Sequence, residues 1–223
     1  MPPSSRLLSV NVGRPRPVVT GRRTVQTAIW KRPAEGRVAV RGVNLDGDDQ
    51  ADRSVHGGPD KAVYAYAIEE TRRWERELGR DLGPGAFGEN LTVEGLDVSG
   101  AILGDRWHVG TALLEVVQPR LPCFKLGLRM GDPSFVKRFG QASRPGAYLR
   151  IVEEGELGAG DTVELDAAAR PDHGVTARLV SDAILLDHDL IPRVLEAPQL
   201  IPSLREWMTT THAGRRRATT PGA

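Results

Sequence analysis

One cysteine, Cys123, is all that the 223 residues contain. Without a second thiol the chain can form no internal disulfide, so a reducing, cytoplasmic setting is expected. The same count excludes an iron–sulfur cluster held by this chain. Histidines stand at 56, 108, 173, 188 and 212, scattered rather than at the spacing of zinc ligands. Aromatic residues make up 5% of the chain, and the basic N-terminal third has only Trp30, which offers no stacking platform for nucleic acid. No apolar run approaches the roughly 18 residues of a membrane helix. The opening MPPSSRLLSVNVGRPRP has only the short stretch Leu7 to Val10 before polar residues and prolines return, too little for the core of a signal sequence. Neither a membrane nor a nucleic-acid partner is expected.

What the chain does have is an uneven distribution of charge behind a net +1. Residues 1–45 carry nine Arg or Lys against the single acid Glu35, whereas residues 150–200 carry eleven acids against four arginines. A small anionic ligand fits the basic third. Short β-like pieces recur as RLLSVNV, GRVAV, NLTVEG, DRWHVG, ALLEVVQ, AYLRIVEE and DTVELD, divided by Gly, Pro and Asp turns. Many short strands at this spacing predict a mainly β protein, a barrel or sandwich with short peripheral helices. One helix is expected within 66–78, where Ile68, Trp74 and Leu78 recur among charges. A second is expected over 132–139, with Asp132 as N-cap, Pro133 at the first position and Gly140 as the stop.

DAAARPDHG, at 166–174, marks a change of composition after which the β pattern disappears. We place a domain boundary there, giving a β domain over 1–165 and an extension of three small helices over 166–213. A basic tail, 214–223, has nothing to bury and is expected to be disordered.

Cys123 lies in VVQPRLPCFKLGLRM, directly after a buried strand. Pro122 fits the first turn of a helix, where the helix N-terminus, Arg120 and Lys125 would all favour the thiolate, the form that binds soft metals. A free cysteine is also among the most buried residue types, and the residues alone leave both readings open. In DRSVHGGPDKAVYAY, Gly57 and Gly58 can turn N–H groups toward an anion while Lys61 supplies a charge, but the spacing is not that of a P-loop. A tight turn with an exposed lysine would look the same. In GAFGENLTVEGL, Asn90 can hydrogen-bond a heterocycle edge, whereas Glu89 reads as a turn cap. Arg144, in SRPGAYLRIVEE, stands on a Pro-Gly turn where it could reach a ligand or simply solvent. A Cys–His hydrolase built on Cys123 and His56 lacks an oxyanion signature.

GDDQADRSVHGGPDKAVYAY, FGENLTVEGL, GDRWHVG and VVQPRLPCFKL, in this order, resemble the MOSC domain family in its YiiM-like subgroup. The resemblance spans roughly residues 5–165, and the tail is similar to that subgroup's three-helix extension. It implies a β-barrel that binds the molybdenum cofactor, a pyranopterin with a phosphate and a dithiolene, with Cys123 as the protein ligand to the metal. Lys61, Arg120, Lys125 and Arg144 become candidates for the anionic cofactor, Asn90 for hydrogen bonding to it, and His56 for a catalytic role. The chemistry implied is reduction of small N-hydroxylated compounds of hydroxylamino-purine type, fed by a separate electron-donating reductase. The alternative is a cofactor or sulfur carrier without turnover.

Overall fold

A computed structural model describes residues 5–51 and 57–219, the last four of these by backbone only. Strand β1 (Arg6–Val12) is followed by a hairpin of β2 (Arg16–Thr20) and β3 (Arg23–Thr27), then by the short β4 (Arg32–Pro33), β5 (Val38–Arg41) and β6 (Asn44–Leu45). β7 (Val63–Ala67) has all five residues buried and runs directly into α1 (Ile68–Leu78). β8 (Leu91–Glu94), β9 (Arg106–Val109) and β10 (Ala112–Pro119) lead to two seven-residue helices, α2 (Phe124–Met130) and α3 (Phe135–Gln141). β11 (Ala147–Glu153), β12 (Gly155–Leu157) and β13 (Val163–Leu165) precede α4 (Ala177–Leu185), α5 (Ile191–Val194) and α6 (Pro202–Thr219).

Eight strands form one mixed sheet in the order β13-β9-β10-β11-β7-β8-β1-β4. Its pairs are antiparallel except β7–β8, and α1 supplies the crossover that a parallel pair needs. A closed barrel was expected, but no continuous ladder closes this sheet among the described residues. β1 already pairs with β8 and β4, and the chain ahead of β13 turns at Gly160, φ 95°. Contact between the ends is therefore limited to the Arg6–Thr162 bridge and bonds such as Leu7 N to Asp161 O, 2.8 Å, and Val163 N to Ser5 O, 2.9 Å.

Six of the eleven aromatic residues are concentrated in one place. Tyr64, Tyr66, Trp74, Phe87, Phe135 and Phe139 form a buried cluster with Leu126 and Met130, behind the strand ends from which α2 departs. Trp74 Nε1 donates to Tyr66 Oη at 3.0 Å, and its ring meets Phe135 edge-on at 4.9 Å. Such buried ring pairs hold this end of the sheet in one arrangement. The aliphatic core is larger and continuous, running from Leu7, Val40, Leu91 and Leu114 through to Val180, Ile191, Val194 and Met208 of the helical extension. Backbone bonds join the two parts as well, from Leu103 N to Val175 O and from Ala177 N to Ala101 O, both 2.9 Å.

Two boundaries differ from the sequence reading. Asp132 does not cap α3; its Oδ1 accepts from Ser134 N and Oγ, so the helix opens after Ser134 and runs one residue past Gly140. At the C-terminus, α6 continues through Thr219, into the segment expected to be disordered from Gly214. Alanine and arginine are strong helix formers, and Arg215 Nη2 reaches Asp189 Oδ1 at 2.9 Å.

Candidate functional site

β10 ends at Pro119 and delivers Arg120 and Cys123 to the base of α2. Cys123 is the N-cap of that helix, with φ −128° and ψ 169°, so Pro122 stands one residue outside the first turn where it was expected. The thiol makes no capping hydrogen bond and is half-buried in a pocket shared with Lys61, Arg120, Lys125, Tyr64 and Tyr148. A strand end, a short turn and a helix start thus bring together four of the positions singled out from sequence.

Arg120 is buried, 5% exposed, with its guanidinium 5.5 Å from the Tyr64 ring centre and 5.3 Å from that of Phe139. Its Nη1 is inaccessible to solvent and has no hydrogen-bond partner. A buried cationic donor left without a partner is costly unless a ligand satisfies it. Burial opposes its charge, yet the Tyr64 and Tyr148 hydroxyls and the Cys123 thiol outweigh that and raise its pKa. Lys125, also buried, has no carboxylate partner among the described residues.

Lys61 closes a short 3-10 turn, Pro59–Lys61. Gln50 holds this loop, accepting from Gly58 N at 3.1 Å and donating to Lys61 O at 3.1 Å. The Gly58 N–H is therefore engaged by protein rather than turned toward an anion. Burial lowers the pKa of Lys61, against the pull of Asp60 and the Cys123 thiol.

Asn90 lines the pocket, but its amide is already committed: Oδ1 accepts from Tyr64 N at 3.1 Å, and Nδ2 donates to Asn11 O at 3.2 Å and Asp48 Oδ2 at 2.8 Å. Its place is to hold β7 against β1 rather than to read a ligand. Glu89 is buried beneath the preceding turn, accepting from Gly85 N, Phe87 N and Thr92 Oγ1, which agrees with its reading as a turn cap. Arg144 is not part of this pocket. It lies 4.2 Å from the Trp74 ring centre and bonds Glu77 at 2.8 Å and Glu70 at 3.5 Å, because the Pro145–Gly146 turn aims it along α1. Arg144→Ala should therefore cost about 1–3 kcal/mol of stability, the sum of a partly buried cation–π contact and an ion pair, while leaving ligand affinity unchanged. Denaturant unfolding beside ligand titration checks this. His56 lies outside the described residues.

The pocket also holds residues that the sequence reading missed. Lys31 Nζ meets both Asp48 oxygens at 2.5 Å in a pair whose side chains are 9% and 3% exposed. Burial lowers the pKa of Lys31, with Asp48 opposing. Nothing in the sequence marks this pair, since Lys31 and Asp48 are separated by three short strands and belong to no recognisable spacing. Tyr64 could have been found, because it lies in the VYAYA run beside the Lys61 motif.

The fold thus brings a half-buried thiol and four cations, Lys31, Lys61, Arg120 and Lys125, to one pocket, with Arg120 Nη1 still unpaired. The MOSC domain model matches residues 52–164, and this chain belongs to the MOSC domain family. As a family, MOSC domains bind the molybdenum cofactor. The chain is 39% identical over 175 residues to the uncharacterized protein YflK of Bacillus subtilis (strain 168), covering 78% of each. It is 34% identical over 163 residues to a reductase of Gibberella moniliformis (strain M3125 / FGSC 7600), covering 71% of this chain but 29% of that protein. The crystal structure of YiiM from Geobacillus stearothermophilus matches with a TM-score of 0.74 at 31% identity, covering 92% of this chain and 98% of that one.

Proposed function

We propose that this chain is a molybdenum-cofactor-dependent reductase of N-hydroxylated compounds of hydroxylamino-purine type, with Cys123 as the protein ligand to the metal. The observation that carries this is the unpartnered Arg120 Nη1 in the pocket of the Cys123 thiol, flanked by Lys61 and Lys125. The donor set fits the group: a thiol for a soft metal, and fixed cations for a phosphate. When bound, the cofactor supplies the two-electron chemistry that takes an R–NHOH group to R–NH2, with water as the other product.

The chain's own part is to hold and orient. Arg120, held between the rings of Tyr64 and Phe139, offers its unpaired Nη1. Lys125 stands two residues beyond the thiol on α2, and Lys61 approaches from the opposite loop. The Lys31–Asp48 pair, with Asn90 and Gly13 N also on Asp48, fixes the wall without a net charge of its own. His56, five residues before Lys61 in the chain, is the group we assign to proton handling.

Protein purified from a host that makes the cofactor should contain molybdenum and pterin and should reduce a hydroxylamino-purine with an artificial donor. Bound cofactor without turnover would leave a carrier and overturn the enzymatic reading. Lys61→Ala and Arg120→Ala should each weaken cofactor retention by about tenfold or more, as expected for loss of a charge-assisted hydrogen bond. The loss should change with added salt, which screens the cations that remain. Turnover per bound molybdenum should stay near wild type; full occupancy with slow normalised turnover would instead place these residues at the chemical step.

A further inference from the structure

Electrons for such a reduction must come from outside, because one cysteine cannot hold a cluster. The hairpin of β2 and β3 stands beside the pocket mouth. It is a two-stranded sheet of its own, closed by a two-residue turn at Gly21, φ 57°, and packed chiefly on itself. Its last residue, Thr27, lines the pocket together with Ala28 and Ile29, so the arm rises directly from the pocket lip. Pro17, Val19, Thr24 and Gln26 on one face are all exposed, Val19 by 75%. A lone two-stranded hairpin is marginal in water, and this one is left without cover.

The charges around the arm are uncompensated. Arg14, Arg16, Arg22, Arg23 and Arg32 have no carboxylate partner among the described residues, whereas Arg37, Arg106, Arg150 and Arg178 elsewhere each meet one. At the base, Arg129 lies within electrostatic reach of the buried Glu89 as well as of Arg16 and Arg80, and its own buried Nε has no hydrogen-bond partner.

We propose that this arm and its arginine rim are the docking site of an acidic electron-donor protein carrying a flavin or an iron–sulfur centre. The proposal rests on the reductase reading above. The donor loses two electrons, in one step or two, and these with two protons convert R–NHOH to R–NH2 and water. Redox encounters are typically small and steered by charge, which suits a slender basic arm at the mouth of the site. A two-fold pairing of this arm with itself would bring arginine against arginine. A nucleic acid would find little to stack on, because Arg16 covers Trp30 at 4.3 Å from its ring centre. Val19 near the tip offers the apolar contact that a protein partner can use.

The test reverses charge at the tip, away from the pocket, with Arg22→Glu and Arg23→Glu combined in the full chain. Reduced methyl viologen, a small donor that needs no docking site, should drive both loaded proteins at rates within about twofold. With reduced flavodoxin, an acidic probe, kcat/KM of the variant should fall about tenfold or more at low salt, and added salt should bring the wild type down toward it. Affinity of cofactor-free protein for oxidised flavodoxin, followed by NMR titration, should weaken in parallel. Equal flavodoxin rates and affinities in variant and wild type would overturn the proposal. So would an equal fall with both donors, a dimer that dissociates on substitution, or loss of RNA binding with flavodoxin affinity unchanged. If wild type fails with viologen, the reductase reading falls, and the flavodoxin titration still decides the docking.

Discussion

Cys123→Ser should abolish molybdenum-centred reduction while leaving the protein folded, at least as stable as wild type, and still able to retain pterin. Cys123 occupies the N-cap of α2 without using its side chain there. Serine is among the preferred N-cap residues, so the substitution provides a cap where the thiol gives none. The cations of the pocket are untouched. What is lost is the soft ligand, since a hydroxyl is a poor partner for a thiophilic metal. Molybdenum content, pterin content, melting temperature and hydroxylamino-purine reduction, measured side by side, separate these effects. Wild-type rates in the variant would remove the cysteine from the metal. A collapse in melting temperature would show instead that the sulfur is a core atom, the bland reading that the residues alone left open.

Ending the chain at Leu165 should remove cooperative folding. A domain boundary at 166 would let residues 1–165 fold by themselves with reduced stability, but the packing leads us to expect a larger loss. Val175, Val180, Ile191, Val194, Leu200 and Met208 are each at most 3% exposed and belong to the same cluster as Leu114 and Val116 of β10 and Leu103 ahead of β9. At about 1.5–3 kcal/mol per fully buried large side chain, these six contribute roughly 9–18 kcal/mol as an upper bound. The whole stability of a domain is typically about 5–15 kcal/mol. Removing the extension also strands Leu103 N and the carbonyl of Ala101. A single sharp melting transition in the truncated chain, with cofactor still bound, would show that the β part stands alone.

How much could be read from the sequence follows the range of the forces involved. Strands whose pattern is local were legible: RLLSVNV, ALLEVVQ and AYLRIVEE form β1, β10 and β11. The VYAYA run was not recognised as a strand, because β7 is buried on both faces and shows no alternation. Sheet closure was also out of reach. Whether β1 meets β13 depends on pairings about 155 positions apart and on a turn at Gly160, which no local pattern announces. In the site, Cys123, Lys61, Arg120 and Lys125 announced themselves by chemistry and motif. Asn90 did too, but a side chain's type does not reveal that Tyr64, Asn11 and Asp48 have already claimed its hydrogen bonds. The Lys31–Asp48 pair had no local signal, since its partners meet only once the intervening strands have folded.

The uneven placement of the four tryptophans gives the protein a built-in optical readout. Trp74, within the ring cluster, and Trp107 are 1% and 0% exposed, whereas Trp207 on α6 is 41% exposed. Buried indoles emit to the blue of solvated ones, so native emission is a composite whose blue part belongs to the core and whose red part to the last helix. Trp30 is the useful exception. It lies under the Arg16 guanidinium at the foot of the hairpin, where a nearby cation perturbs its excited state. A protein that grips the arm must disturb that contact, and a Trp30→Phe difference spectrum isolates the change without any added label.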